Sequence, residues 1–127
     1  MRKKAQEREI NMSEETIMQG KASWQLEKTD PKEAELLKES LRNVHDPELG
    51  YSVIDLGLIR DVVKEENRAV ITMILTTPFC PYGGHMIEQV RMAAMEALKI
   101  DVYVDLRFDP WDPEMMEEGA DMDWGFL

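Results

Sequence analysis

Residues 68–76 carry β-branched and apolar side chains on both faces of an extended chain. A run of this kind predicts a strand that lies in the middle of a sheet and is covered on both sides. Residues 60–63 predict a neighbouring strand, and the charged residues 64–67 predict the turn between the two. The chain is therefore expected to contain a hairpin whose second strand is central.

A helix is predicted to begin just after Asp30. Asp30 is suited to the N-cap position, Pro31 to the first helical position and Glu33 to the third. Apolar residues then recur at helical spacing as far as Val44, and the helix should stop by His45, because the next residue precedes a proline.

Two further elements follow the hairpin. Residues 85–98 have one apolar side and predict a second helix, and residues 102–108 alternate between apolar and polar, which predicts a strand with one buried face. The predicted order is helix, strand, strand, helix, strand. The simplest packing is an α+β domain of two layers, with two helices on a small mixed sheet.

The charge pattern divides the chain into three parts. Residues 1–28 are charged and predict a flexible extension. Trp24 is the one large apolar residue in it and could anchor the extension to the domain or to a partner. Residues 29–108 form the predicted domain. Residues 109–127 form an acidic tail that we expect to pack on or near the domain. The tail contains no Lys or Arg among the acidic residues Asp109, Asp112, Glu114, Glu117, Glu118, Asp121 and Asp123.

The formal net charge of −11 excludes some classes of partner. Nucleic acid and anionic membranes are disfavoured, because their recognition depends on Lys and Arg. The acidic tail either docks on a basic protein partner or is simply solvated, and its composition does not choose between the two.

Targeting signals and disulfides are not expected. The single cysteine, Cys80, cannot form an internal disulfide, and no apolar run approaches the ~20 residues that span a bilayer. No apolar segment follows the basic start of the chain as in a secretory signal. We therefore expect a cytoplasmic protein with Cys80 reduced.

Cys80 is the main candidate for chemistry. It lies in residues 77–84, which contain two prolines and two glycines and so predict a loop before the second helix. The positive end of a helix dipole favours a thiolate, which is a nucleophile and a ligand for zinc or iron–sulfur clusters. The alternative is that Cys80 is a small buried apolar residue.

One cysteine does not complete a metal site, because clusters and structural zinc commonly take four ligands. The missing ligands could come from a second copy, from a partner, or from within the chain. The candidates within the chain are His45, Asp46, Glu48, Asp55 and His85.

Several neighbours of Cys80 have two interpretations each. Asp55 either faces Cys80 across the hairpin or fixes a turn beside Gly57, and Asp46 could likewise shape the site or only form a turn. The hydroxyls of Thr76 and Thr77 either bond to the thiolate or cap the turn. A Cys80–His85 pair would suggest nucleophilic catalysis, although an exposed histidine is the commoner case. Nucleotide-binding loops and C-x-x-C or H-E-x-x-H motifs are absent.

Five segments of the chain resemble the metal–sulfur cluster biosynthetic family, which contains the SufT proteins, the PaaD subunit and the eukaryotic cytosolic iron–sulfur targeting component. The resemblance covers roughly residues 30–127. The segments are residues 46–49 (Asp-Pro-Glu-Leu), 52–59 (Ser-Val-Ile-Asp-Leu-Gly-Leu-Ile), 75–81 (Leu-Thr-Thr-Pro-Phe-Cys-Pro), 111–116 (Trp-Asp-Pro-Glu-Met-Met) and 124–127 (Trp-Gly-Phe-Leu).

The resemblance implies a compact α+β fold and a role in maturing iron–sulfur proteins, without enzymatic activity. It implies that Cys80 binds iron or a cluster transiently and none stably, with Asp46, Asp55 and Thr77 contributing to the site. The implied partners are iron–sulfur assembly proteins and client apoproteins, and a homodimer is one way to bring two Cys80 thiols together.

Three rival functions stay open. An accessory subunit of a multicomponent aromatic-acid oxygenase is one, although this chain lacks the cysteine-rich C-terminal segment expected of the PaaD branch. A thiol enzyme using Cys80 and His85 is the second. An interaction module with an inert cysteine is the third.

Overall fold

The computed structural model describes residues 17–77 and 81–117. Its elements, in chain order, are α1 (Gln25–Thr29), α2 (Pro31–Leu41), β1 (Ile59–Lys64), β2 (Arg68–Met73), α3 (Gly83–Leu98), β3 (Asp101–Leu106) and a 3₁₀ turn (Pro113–Met115). The predicted α+β class and the predicted order of two helices and three strands are confirmed. The structure adds the short helix α1 ahead of them.

The three strands form one mixed sheet in the order β1-β2-β3. β1 pairs with β2 antiparallel, and β2 pairs with β3 parallel, so β2 is the central strand, as predicted. The parallel connection is made through α3, since parallel neighbours need a long crossover. One face of β2 is fully buried, whereas Val70 and Thr72 on the other face are half-buried, so the two faces are covered unequally.

Helix α2 begins where the local sequence predicts. The Asp30 carboxylate accepts a hydrogen bond of 3.1 Å from the Glu33 backbone N–H, and Pro31 occupies the first turn. Ala34, Leu37 and Leu41 form the buried stripe, and the helix ends at Leu41. Because capping and periodicity are local signals, this element could be located without knowledge of its neighbours.

Helix α3 begins at Gly83, two residues earlier than predicted, and ends at Leu98 as predicted. Its N-terminal turn lies close to the end of the hairpin, where a Cβ added to Gly83 would lie 3.0 Å from Leu75 Cδ1. The Ser40 hydroxyl donates a hydrogen bond of 3.1 Å to the Ala93 carbonyl, which joins α2 to α3.

The N-terminal segment differs from its prediction. Residues 17–28 belong to the packed domain and not to a flexible extension. Trp24 is only 2 % exposed, and its indole N–H donates a hydrogen bond of 2.9 Å to the carbonyl of Ile59 on the edge strand β1. Leu26 is fully buried. Trp24 therefore anchors this segment to the domain and covers part of an exposed sheet edge. Residues 1–16 lie outside the described residues.

The C-terminal segment also lies on the domain as far as the structure describes it. Met115 and Met116 are buried, and the Trp111 indole donates a hydrogen bond of 2.8 Å to the Leu56 carbonyl. Residues 118–127 lie outside the described residues. None of the described helices is long and apolar enough to cross a bilayer.

Candidate functional site

Asp46 holds a tight turn at residues 46–50. Its carboxylate is buried, and Oδ1 accepts hydrogen bonds from the backbone N–H groups of Glu48 and Leu49 at 2.8 and 3.1 Å. The Asp46 carbonyl also accepts from the Gly50 N–H at 2.8 Å. Side-chain acceptance from N–H groups two and three residues ahead is the ordinary way in which Asp forms a turn. The turn-forming interpretation of Asp46 therefore applies.

The same carboxylate makes one contact that a turn does not require. Asp46 Oδ2 accepts a hydrogen bond from the Thr76 hydroxyl, with an O···O distance of 3.4 Å across thirty residues of sequence. Thr76 comes shortly after the end of β2. The contact therefore joins the Asp46 turn to the chain that leads, four residues later, to Cys80.

Cys80 itself, with Pro78 and Phe79, lies outside the described residues. Its predicted place in a loop stays a prediction. Thr77 on one side is half-buried, and Pro81 and Tyr82 on the other side are exposed. His85 is exposed on the first turn of α3. The predicted contribution of Thr77 and the predicted Cys80–His85 pair therefore stay predictions.

The described contacts of Asp55 are with Arg42, Ser52 and Glu117, and its predicted position facing Cys80 stays a prediction. Its carboxylate accepts a hydrogen bond of 3.3 Å from Arg42, and its N–H donates one of 3.0 Å to the Ser52 hydroxyl. Its backbone carbonyl accepts from the Glu117 N–H at 2.9 Å. Ser52, not the Asp55 carboxylate, therefore helps to fix this turn. The described contacts bring Asp55 to Arg42 and Glu117, and Asp46 to Thr76.

Arg42 connects Asp55 to the C-terminal segment. Its guanidinium donates two hydrogen bonds, both of 2.9 Å, to the two carboxylate oxygens of Glu117. This hydrogen bonding lowers the pKa of Glu117, although partial burial of the carboxylate opposes the shift. It also raises the pKa of Arg42. The paired charges hold the C-terminal segment against residues 52–57.

A small cavity lies beside Thr76. It has a volume of about 140 Å³ and is lined by Leu75, Thr76 and residues 107–111. Phe108, at its rim, is 69 % exposed. The residues that follow β3 thus form a wall next to the end of the hairpin. Residues 107 and 108 were predicted to end the strand over residues 102–108, and residues 109–111 to begin a tail that packs on or near the domain. Their contact with the end of the hairpin was not predicted.

Arg60 was not predicted to have a structural role. It is fully buried in β1, and its guanidinium donates to the carbonyls of Ile17 at 2.7 Å, Gly57 at 2.8 Å and Gln19 at 3.2 Å, and to that of Gly20. Burial lowers its pKa to about 10. A charge inside the apolar run of residues 56–63 was the available signal, because such a charge must find partners.

Within residues 17–77 and 81–117, no three His, Cys, Asp or Glu side chains are grouped so that they could hold a metal ion.

Comparison with protein families gives a match over most of the domain. The model for the family described as "Iron-sulfur cluster assembly protein" matches residues 35–106. A Porphyromonas gingivalis protein named Fe-S protein maturation auxiliary factor is 43 % identical over 90 residues, covering 68 % of this chain and 86 % of that protein. The auxiliary factor SufT of Staphylococcus aureus is 38 % identical over 80 residues, covering 61 % of this chain and 91 % of that protein.

Solved structures show the same fold. A domain of unknown function from Bacillus anthracis aligns with a TM-score of 0.68 and 31 % identity, covering 79 % of this chain and 98 % of that one. A conserved hypothetical protein from Thermotoga maritima aligns with a TM-score of 0.62 and 32 % identity, covering 85 % and 99 %. The arrangement of helices on a three-stranded sheet is therefore shared with these proteins.

Proposed function

The chain belongs to the iron–sulfur cluster assembly protein family, and on that premise we propose that it assists the maturation of iron–sulfur proteins as an assembly or trafficking factor. In this proposal Cys80 supplies a thiolate to iron or to a cluster in transit. The cluster is cargo that is passed to a client apoprotein, and the chain performs no catalysis of its own.

Beside the family match over residues 35–106, the structural observation that supports the proposal is the long hydrogen bond of 3.4 Å between Thr76 and the buried Asp46. It ties the chain leading to Cys80 to a turn that is itself held by three hydrogen bonds. A thiolate that receives and releases cargo needs a defined starting position, because ligand exchange depends on access and orientation. The Asp46 turn supports such a position from the domain side.

The cysteine count supports transient binding. The chain contains one cysteine, whereas an iron–sulfur cluster is commonly held by four thiolates. In this proposal the remaining ligands come from a second copy, from an assembly protein or from the client. A shared cluster is released when one partner supplies better ligands, which suits a carrier.

Anaerobic reconstitution with iron and sulfide tests the proposal. We expect the native chain to develop a cluster absorption band and a native mass that reports either a dimer or a complex with added apoprotein. Cys80→Ala should lose the band. Met92→Ala, which changes an exposed side chain on α3, is the control and should keep it.

Maturation of a client in cells provides the second readout. Cys80→Ser should lower client activity, whereas Met92→Ala should not. If Cys80→Ser supports client activity as well as the native chain does, the role of Cys80 is rejected. Absence of a band in the native chain, together with a requirement for the chain in maturation, would favour an adaptor that acts through protein contacts.

A further inference from the structure

The two terminal segments enclose a cleft that the Cys80 proposal does not use. It has a volume of about 590 Å³. Its N-terminal wall consists of residues 18–20, and its C-terminal wall consists of residues 109–112, Glu114 and Met115. Sequence analysis placed these residues in a flexible extension and an acidic tail, so their meeting was not foreseen.

Both walls are held by hydrogen bonds that are buried or partly buried. Arg60 binds the carbonyls of Ile17, Gln19 and Gly20 on the N-terminal side. Trp111 is fixed on the C-terminal side through its hydrogen bond to Leu56. Lys21 links the two segments by donating a hydrogen bond of 2.7 Å to the Met116 carbonyl. The cleft is thus formed before any partner binds, which lowers the ordering cost of association.

The lining has a definite chemical character. Met18, Trp111 and Met115 supply apolar surface, and the acidic side chains are Asp109, Asp112 and Glu114. Among the described residues that line the cleft, none is Lys or Arg. The Asp112 carboxylate also accepts a hydrogen bond of 2.8 Å from the Glu114 N–H, so one of its two oxygens already has a hydrogen-bond donor within the chain. Surfaces of this kind complement a segment in which Lys or Arg alternates with apolar residues.

The cleft also adjoins the proposed site. Residues 109–111 line both this cleft and the cavity that contains Thr76. An occupant of the cleft would therefore share the wall of residues 109–111 with the cavity beside Thr76. Arg107, the cation of this segment, lines the cavity and not the cleft.

We propose that this cleft, here called the terminal cleft, binds a cationic, partly apolar segment of the client apoprotein. The inference rests on the proposed function for the identity of the partner. The chemistry of the cleft is independent of Cys80, and the two can be tested separately.

The binding test uses the full chain and a short synthetic peptide of alternating arginine and leucine, with a glutamate–leucine peptide as the matched probe. The indole N–H resonance of Trp111 reports on the cleft directly. We expect the arginine peptide to shift it and the glutamate peptide to leave it unchanged. Cys80→Ala should bind the arginine peptide as the native chain does.

A charge-reversal pair locates the interaction. Asp109→Lys with Glu114→Lys should weaken binding of the arginine peptide at least about tenfold. Glu39→Lys with Glu66→Lys changes the net charge equally at exposed positions outside the cleft, and should alter affinity by no more than about twofold. Matching thermal unfolding of all variants would show that the fold is kept.

The same variants separate this inference from the proposed function. In the reconstitution assay, the cleft variant should take up cluster like the native chain but mature the apoprotein client more slowly. Equal weakening by both charge-reversal pairs would mean that the peptide responds only to net charge, and would overturn the inference. A Trp111 resonance that does not respond to the arginine peptide would also overturn it, whatever the outcome for Cys80.

Discussion

Gly57 and Met115 approach so closely that no other residue fits at position 57. A Cβ added to Gly57 would overlap the Met115 carbonyl oxygen and lie 2.7 Å from its carbonyl carbon. Gly57 also has a φ of +73°, in the left-handed region that favours glycine. The C-terminal segment can therefore lie on the turn at residues 54–57 only because residue 57 lacks a side chain.

Gly57→Ala should destabilise the fold by about 2–4 kcal/mol, because backbone strain and overlap with Met115 add together. Gly50→Ala is the matched control. Gly50 has a φ of +79° but nothing within 4 Å of an added Cβ, so only strain of about 1–2 kcal/mol is expected. Urea unfolding followed by tryptophan fluorescence measures both. Equal losses would show that the contact with Met115 contributes nothing.

Arg60→Ala should cost at least about 3 kcal/mol, because several carbonyl groups lose their donor in a buried setting. It should also make the segment at residues 17–20 more sensitive to limited proteolysis, since Arg60 binds three of its carbonyls. Arg68→Ala removes an exposed guanidinium that pairs with Glu65, and should cost less than about 1 kcal/mol. Unchanged proteolysis of Arg60→Ala would argue against the anchoring role.

Asp46→Ala should destabilise the fold by about 2–3 kcal/mol, since two turn N–H groups lose their acceptor. Thr76→Val removes only the link to the Cys80 segment and should cost about 0.5–1.5 kcal/mol. If that link positions the cysteine, Thr76→Val should lower cluster loading more than its small effect on stability explains. Loading equal to that of the native chain would show that the link serves stability alone.

Glu117→Gln should remove part of the acid sensitivity of the fold. The hydrogen bond from Arg42 lowers the pKa of Glu117 in the folded chain below its ordinary value of 4.5. The stabilisation is then present above that value and is lost as the pH falls below it. Because the pair is partly exposed, the difference should stay under about 1 kcal/mol.

The free energy of unfolding is measured at neutral pH and at pH ~4 for the native chain and for Glu117→Gln. Glu66→Gln, at an exposed site, is the control. The native chain should lose more stability on acidification than Glu117→Gln does, and Glu66→Gln should behave like the native chain. If the native chain and Glu117→Gln lose the same stability on acidification, the Arg42–Glu117 pair does not contribute to the acid sensitivity of the fold.

Local signals in the sequence determined the secondary structure well. The Asp30 cap, the proline at position 31 and the alternation in residues 102–108 each act within a few residues, so the elements could be located from the sequence alone. The resemblance carried by residues 46–49, 52–59 and 75–81 likewise pointed to the correct family. These features do not depend on how distant parts of the chain meet.

The tertiary structure alone decided which side chains share a site. Asp55 contacts Arg42, which is also bonded to Glu117 across 75 residues of sequence, and Asp46 contacts Thr76 across 30. The same holds for Trp24, whose partner Ile59 lies 35 residues away, and for Arg60, which binds the carbonyls of Ile17, Gln19 and Gly20 across 40 or more residues. Such pairings follow from the packing of whole elements, and the periodicity or capping residues of either element do not predict them. The sequence thus determined the elements and the family, whereas packing determined the terminal cleft and the partners of each aspartate.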